Sequence, residues 1–279
     1  MKRFQDKVVI VTGGSSGIGK AAALRYLQEG AKVVVVARNQ RILHEAVDDF
    51  IKAGSKKENI LPIECDISDD DAPEKVINKT IDAFGKLDIL VNNAGVVGKK
   101  GINDEESIEL FDHIFKINVR GLVKLSQASL PFLKLTKGNI VNISSIASSV
   151  PGTTFLYYRM SKAAVDMFTK SFAGSVSVHG IRVNSVNPGM TATNIFTTMP
   201  SVDGKNLSEE EIVKSLDESA NLLVPLKRMA TPEEVSNVIC FVSSDEASYI
   251  TGSCYVVDGG YKVHETLPNT AIFEKTSTV

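Results

Sequence analysis

The chain has 279 residues, 43% of them hydrophobic and 23% charged, with a net charge of −2. This is an ordinary globular composition, and the weakly acidic balance argues against nucleic acid or an anionic membrane as a partner. The three cysteines, Cys65, Cys240 and Cys254, stand at no metal-ligand spacing; they read as free thiols in a reducing, cytoplasmic setting, with no metal site.

In chain order, the basic N-terminus leads into an apolar run, Val8 to Val11, too short for a signal-peptide core. That run reads as the first strand. Further β-branched runs at Val33–Val36, Ile60–Ile63, Ile89–Val91, Ile140–Ile143 and Val183–Val186 read as strands. All are too short to span a bilayer. Their unbroken apolar character suits strands covered on both faces, hence a parallel sheet. Helical patterns lie between them. "GKAAALRYLQEG" stops at Gly30 and "NQRILHEAVDDFIKAG" at Gly54, each a natural helix end. The segment from Met190 to about Pro225 breaks the rhythm, and "CYVVDGG" gives a last short run. The expectation is an α/β protein: one domain over residues 1–263, a doubly wound parallel sheet with helices on both faces. Residues 264–279 form a tail.

The turn after the first strand reads "TGGSSGIG", with Gly13, Gly17 and Gly19 spaced G-x-x-x-G-x-G. Glycines there let the backbone turn tightly and lie against a pyrophosphate at the helix N-terminus. A plain strand-to-helix turn uses the same residues, but the place after the first strand of a βαβ unit is the one this motif needs. The pattern resembles the TGxxxGxG motif of the short-chain dehydrogenase/reductase family. Other segments agree, in order: "NNAG" at Asn92–Gly95, "IN" ending at Asn118, "ISS" ending at Ser145, "YRMSK" at Tyr158–Lys162, "NPGMTAT" at Asn187–Thr193, and "VDGG" near the end. The resemblance covers about residues 6–261. It implies a Rossmann-type fold and a nicotinamide cofactor. Contacts to that cofactor are implied at Gly13, Ser15, Ser16, Gly17, Ile18 and Gly19. Further contacts are implied at Asn92, Ala94 and Gly95, at Tyr158 and Lys162, and at Pro188, Gly189, Thr191 and Thr193.

Tyr158 and Lys162 stand four apart, on one helix face. A free tyrosine has a pKa near 10; a close ammonium and the positive nicotinamide both favour phenolate. Tyr158 then serves as general base toward an alcohol or general acid toward a ketone. The same spacing also fits a stacked surface pair with a snorkelling lysine. The resemblance implies the catalytic set Asn118, Ser145, Tyr158 and Lys162: Tyr158 the acid/base, Lys162 tuning it and holding the ribose, Ser145 orienting the reacting oxygen, Asn118 holding a water in a relay to the lysine. Tyr157 reads as a packing or pocket residue, and Ser144 as a turn cap.

The window where NAD sites usually carry an acid reads "VVVVARNQRI". It has none. Arg38 stands at the strand end, beside Asn39, and Arg41 opens the next helix. An arginine grips a 2′-phosphate that an acid would repel, so NADP(H) is expected over NAD(H). "CDI" resembles the family's adenine-contacting segment, which implies contacts from Asp66 and Ile67. Ile195, Phe196 and Met199 suggest an apolar pocket under the 190–225 segment. The expected reaction is hydride transfer between the cofactor and an apolar carbonyl or alcohol compound. The alternative is a non-catalytic NADP(H)-binding protein of the same fold. The resemblance also implies a homo-oligomer, a tetramer.

Overall fold

The computed structural model describes residues 2–99, 107–152, 154–195 and 209–263. Phe196, Met199 and the tail 264–279 lie outside them. Among the described residues, seven strands form one sheet in the order β3-β2-β1-β4-β5-β6-β7. The strands are β1 Val8–Thr12, β2 Lys32–Ala37, β3 Ile60–Glu64, β4 Ile89–Asn92, β5 Asn139–Ile143, β6 Arg182–Pro188 and β7 Cys254–Val257. Every pairing is parallel. The helices are α1 Gly17–Gln28, α2 Gln40–Lys52, α3 Ala72–Phe84, α4 Ile108–Phe115, α5 Leu122–Thr136, α6 Leu156–Val176, α7 Glu209–Leu223 and α8 Pro232–Ser243.

Alternation along the valine-rich strands feeds two cores. Val9, Val11, Val33 and Val35 face one layer with Tyr26 of α1, Phe50 of α2 and Ile239 of α8. Ile10, Val34 and Val36 face the other, with Val76 of α3, Ile114 of α4, Leu125 of α5 and Ala173 of α6. Burial on both faces is what the unbroken apolar runs require. Among the described residues, no helix is long and apolar enough to cross a membrane.

Within the 190–225 stretch that breaks the rhythm of the sequence, α7 occupies Glu209–Leu223.

The strand order reverses between β1 and β4. In sheets of this kind ligands bind outside the carboxyl ends of the strands at that switch point. Here those ends carry the glycine turn after β1, Asn93–Gly95 after β4, Ser144 and Ser145 after β5, and Gly189–Thr191 after β6.

Candidate active site

The turn after β1 is sewn to the segment after β4. Thr12 Oγ1 accepts from the backbone N–H of Asn93 at 3.0 Å and of Ala94 at 3.1 Å. Asn93 Nδ2 donates to Thr12 O at 2.9 Å and Gly13 O at 3.2 Å. Gly13 has φ +63°, a conformation only glycine adopts freely. A Cβ on Gly19 would collide with the Gly13 carbonyl and the Asn93 amide. Helix α1 begins behind this turn with no acid in its first turn and no side-chain cap on Ser16. Its positive end is therefore open to an anion.

In front of the turn lies a cleft of about 430 Å³. Gly13, Ser15, Ser16, Gly17 and Ile18 line it from the turn. Arg38 and Asn39 line it after β2, and Asp66 and Ile67 after β3. Ala94, Gly95 and Thr193 complete the wall. Glycines packed too tightly for a Cβ, an uncapped helix start and a cation, Arg38, with no ion pair among the described residues fit a dinucleotide phosphate. Asn39 caps α2, accepting from Ile42 N at 3.1 Å. Arg41 is folded back on Glu45 at 2.6 Å, whereas Arg38 is exposed. Asp66 Oδ1 accepts from Ser68 N at 2.9 Å, so its carboxylate also shapes the turn. Asn92 does not line the cleft. It is buried and donates to Ser126 Oγ and Asn142 Oδ1, both at 2.9 Å. Its neighbour Asn93 takes the cleft position.

A second pocket of about 220 Å³ adjoins the first, and Ile18, Asn93, Gly95, Thr193 and Ile195 line both. Ser145, Tyr158 and Lys162 line it on one side, Pro188, Gly189 and Thr191 on another. Tyr158 and Lys162 sit in the first turns of α6. Lys162 is 4% exposed. Its Nζ donates to Ile143 O at 2.8 Å and stands 5.6 Å from the Tyr158 ring centre. Burial brings its pKa down to about 8. Tyr158 shifts the other way from Lys162. Burial raises its pKa, against smaller lowering effects of its Ser145 hydrogen bond and the Arg159 charge. In the protein alone Tyr158 is thus a neutral phenol.

The turn cap expected of Ser144 falls to Ser145. Ser145 caps the short turn Ile146–Ser148, its Oγ accepting from Ala147 N at 3.1 Å. Ser144 is buried; its Oγ donates to Lys162 O at 3.1 Å, tying β5 to α6. Asn118 lies in a π-turn, Lys116–Gly121, between α4 and α5. Its side chain accepts from Val96 N at 2.9 Å and donates to Val96 O at 2.9 Å and Ser161 Oγ at 3.0 Å. The structure thus brings Ser145, Tyr158 and Lys162 together, and puts Asn118 behind them as a brace. Tyr157 packs edge-on against Phe111, ring centres 5.3 Å apart.

Residues 13–262 match a family model described as "Enoyl-(Acyl carrier protein) reductase". A solved short-chain dehydrogenase/reductase of unknown function from Caenorhabditis elegans, with cofactor, superposes at TM-score 0.86, with 32% identity over 95% of this chain and 98% of that one. The chain belongs to the short-chain dehydrogenase/reductase family. It is 38% identical to (+)-borneol dehydrogenase 2 of Salvia officinalis, over 93% of this chain and 90% of that one. It is 37% identical to cyclopentanol dehydrogenase of Comamonas sp., over 94% and 99%. It is accordingly an oxidoreductase of the alcohol–carbonyl type that works with a nicotinamide cofactor.

Three residues around this short-chain dehydrogenase/reductase site escape a reading by motif. Asn93 holds the glycine turn, Ser144 fixes α6, and Arg159 lines the second pocket. "NN" and "SS" name pairs, and the alternation at a strand's end decides which member faces the crevice.

Proposed function

We propose that the chain is an NADP(H)-dependent oxidoreductase for an apolar carbonyl or alcohol compound, with Tyr158 as its acid and base. The observation that supports this most strongly is the contiguity of the two pockets, with the glycine turn in one and Ser145, Tyr158 and Lys162 in the other. The cofactor, when bound, supplies or takes the hydride.

Tyr158 gives a proton to the carbonyl oxygen in reduction and takes one from the hydroxyl in oxidation. Ser145 hydrogen-bonds that same oxygen. Lys162 has one N–H on Ile143 O, leaving two for ribose hydroxyls. With a pKa of about 8 it is mostly protonated at neutral pH. Its charge, joined by that of the oxidised nicotinamide, is what brings the buried phenol down from its raised value. Asn118 acts as a positioning residue through Val96 and Ser161.

The turn from Gly13 to Gly19 holds the pyrophosphate. Arg38, with Asn39, takes the 2′-phosphate and so selects NADP(H); Asp66 and Ile67 hold adenine. Ala94, Gly95, Pro188, Gly189, Thr191 and Thr193 enclose the nicotinamide end. Residues 1–263 make one domain, and the protein works as a homo-oligomer, a tetramer. Its free thiols fit a cytoplasmic setting. The dehydrogenases of borneol and cyclopentanol among its relatives favour an apolar substrate.

The test is a screen of carbonyl compounds for consumption of NADPH. Turnover of at least one class is expected. NADPH binding without turnover of any class would favour the non-catalytic binding protein instead.

A further inference from the structure

The second pocket is largely apolar, yet it carries a cation that itself passes neither the proton nor the hydride. Arg159 follows Tyr158 in α6 and lines the pocket alongside Ile146, Val150, Phe155 and Met190. Among the described residues that line it there is no aspartate or glutamate. Lys162, the other cation, is committed to Ile143 O and the ribose side. Arg159 makes its own bonds to neutral partners. Nε donates to Thr154 O at 2.8 Å and Nη1 to Val150 O at 2.7 Å. The guanidinium occupies the space where a Cβ on Gly152 would stand.

These contacts aim the group without neutralising it. A guanidinium has five N–H groups, and two are used among the described residues. A half-buried cation beside apolar surface gains by receiving an anion. The planar fork suits a carboxylate, which it can meet with two parallel bonds.

We propose that Arg159 is a specificity-determining residue, and that the pocket takes a carbonyl or alcohol compound whose apolar body ends in a carboxylate held by the Arg159 guanidinium. This rests on the reading of Tyr158 as acid/base and adds the substrate class.

The experiment compares a branched or aromatic keto acid with its methyl ester as substrates, in wild type, Arg159→Gln and Arg159→Lys. The readout is the acid-to-ester ratio of kcat/KM. Wild type should favour the acid at least tenfold, since a charge-assisted bond carries about tenfold to a hundredfold. Arg159→Gln should remove most of that preference by raising KM for the acid, and Arg159→Lys should keep part of it. Equal ratios in wild type and Arg159→Gln would overturn the inference, because a clasp on residues 150–154 alone affects both substrates alike. A wild-type ratio near one overturns it without any variant. Where neither compound turns over, calorimetry of benzoate on the NADP-saturated protein replaces kinetics. Binding by wild type and loss in Arg159→Gln supports the carboxylate site even though the acid/base reading has failed. Equal binding, or none, overturns it.

Discussion

Replacing Lys162 by Met separates the stability of the site from its chemistry. The lysine is 4% exposed, and burial takes its pKa from 10.5 to about 8. A fall of that size means the folded chain carries the charged form at a penalty of roughly 3 kcal/mol. The charge of Asp166 offsets part of the burial effect. The sign is fixed by proton counting. Between about pH 8 and 10.5 the folded chain holds fewer protons than the unfolded chain, so this group makes stability rise with pH across that window. Cys240 and Tyr26 act in the opposite direction, since burial raises both. The comparison therefore has to be between wild type and Lys162→Met. Urea unfolding is followed at intervals from about pH 7 to 10.5. The stability of the variant relative to wild type should be highest at pH 7 and decline by roughly 3 kcal/mol across the window. Loss of the bond to Ile143 O lowers the whole curve by about 1–3 kcal/mol without changing its slope. A difference that stays constant with pH would refute the buried-charge account. The same variant should lose turnover and NADPH affinity together.

Arg38→Asp should lower kcat/KM with NADPH relative to NADH by about tenfold to a hundredfold, the worth of a charge-assisted phosphate bond; a wild type that already prefers NADH contradicts the assignment. Asn118→Ala removes three hydrogen bonds and strands the buried N–H and C=O of Val96. Thermal unfolding should show a loss of about 2–5 kcal/mol, and an unchanged midpoint would contradict the bracing role.

The sheet was legible because its central strands β1, β2, β4, β5 and β6 are buried on both faces, which writes unbroken apolar runs into the sequence. The glycine turn was legible for a similar reason: Gly13 and Gly19 sit where a side chain has no room, so geometry appears directly as residue type. Adjacent identical residues were not. Asn92 and Asn93 differ only in which face of β4 they meet, and one joins a buried network with Ser126 and Asn142 while the other holds Gly13. Ser144 and Ser145 differ in the same way. The upward shift of Tyr158 in the protein alone was not legible, because spacing reveals the nearby lysine but not the burial that raises the phenol. Arg159 passed unnoticed because its meaning lies in what surrounds it, two backbone carbonyls and a pocket without acids among its described residues.

The central claim is that Tyr158 moves the proton. It is tested most directly by Tyr158→Phe, which keeps the ring and removes only the hydroxyl. Turnover of a carbonyl substrate with NADPH should fall by at least about a hundredfold, with NADPH affinity retained. A variant that keeps near-wild-type kcat would contradict the account.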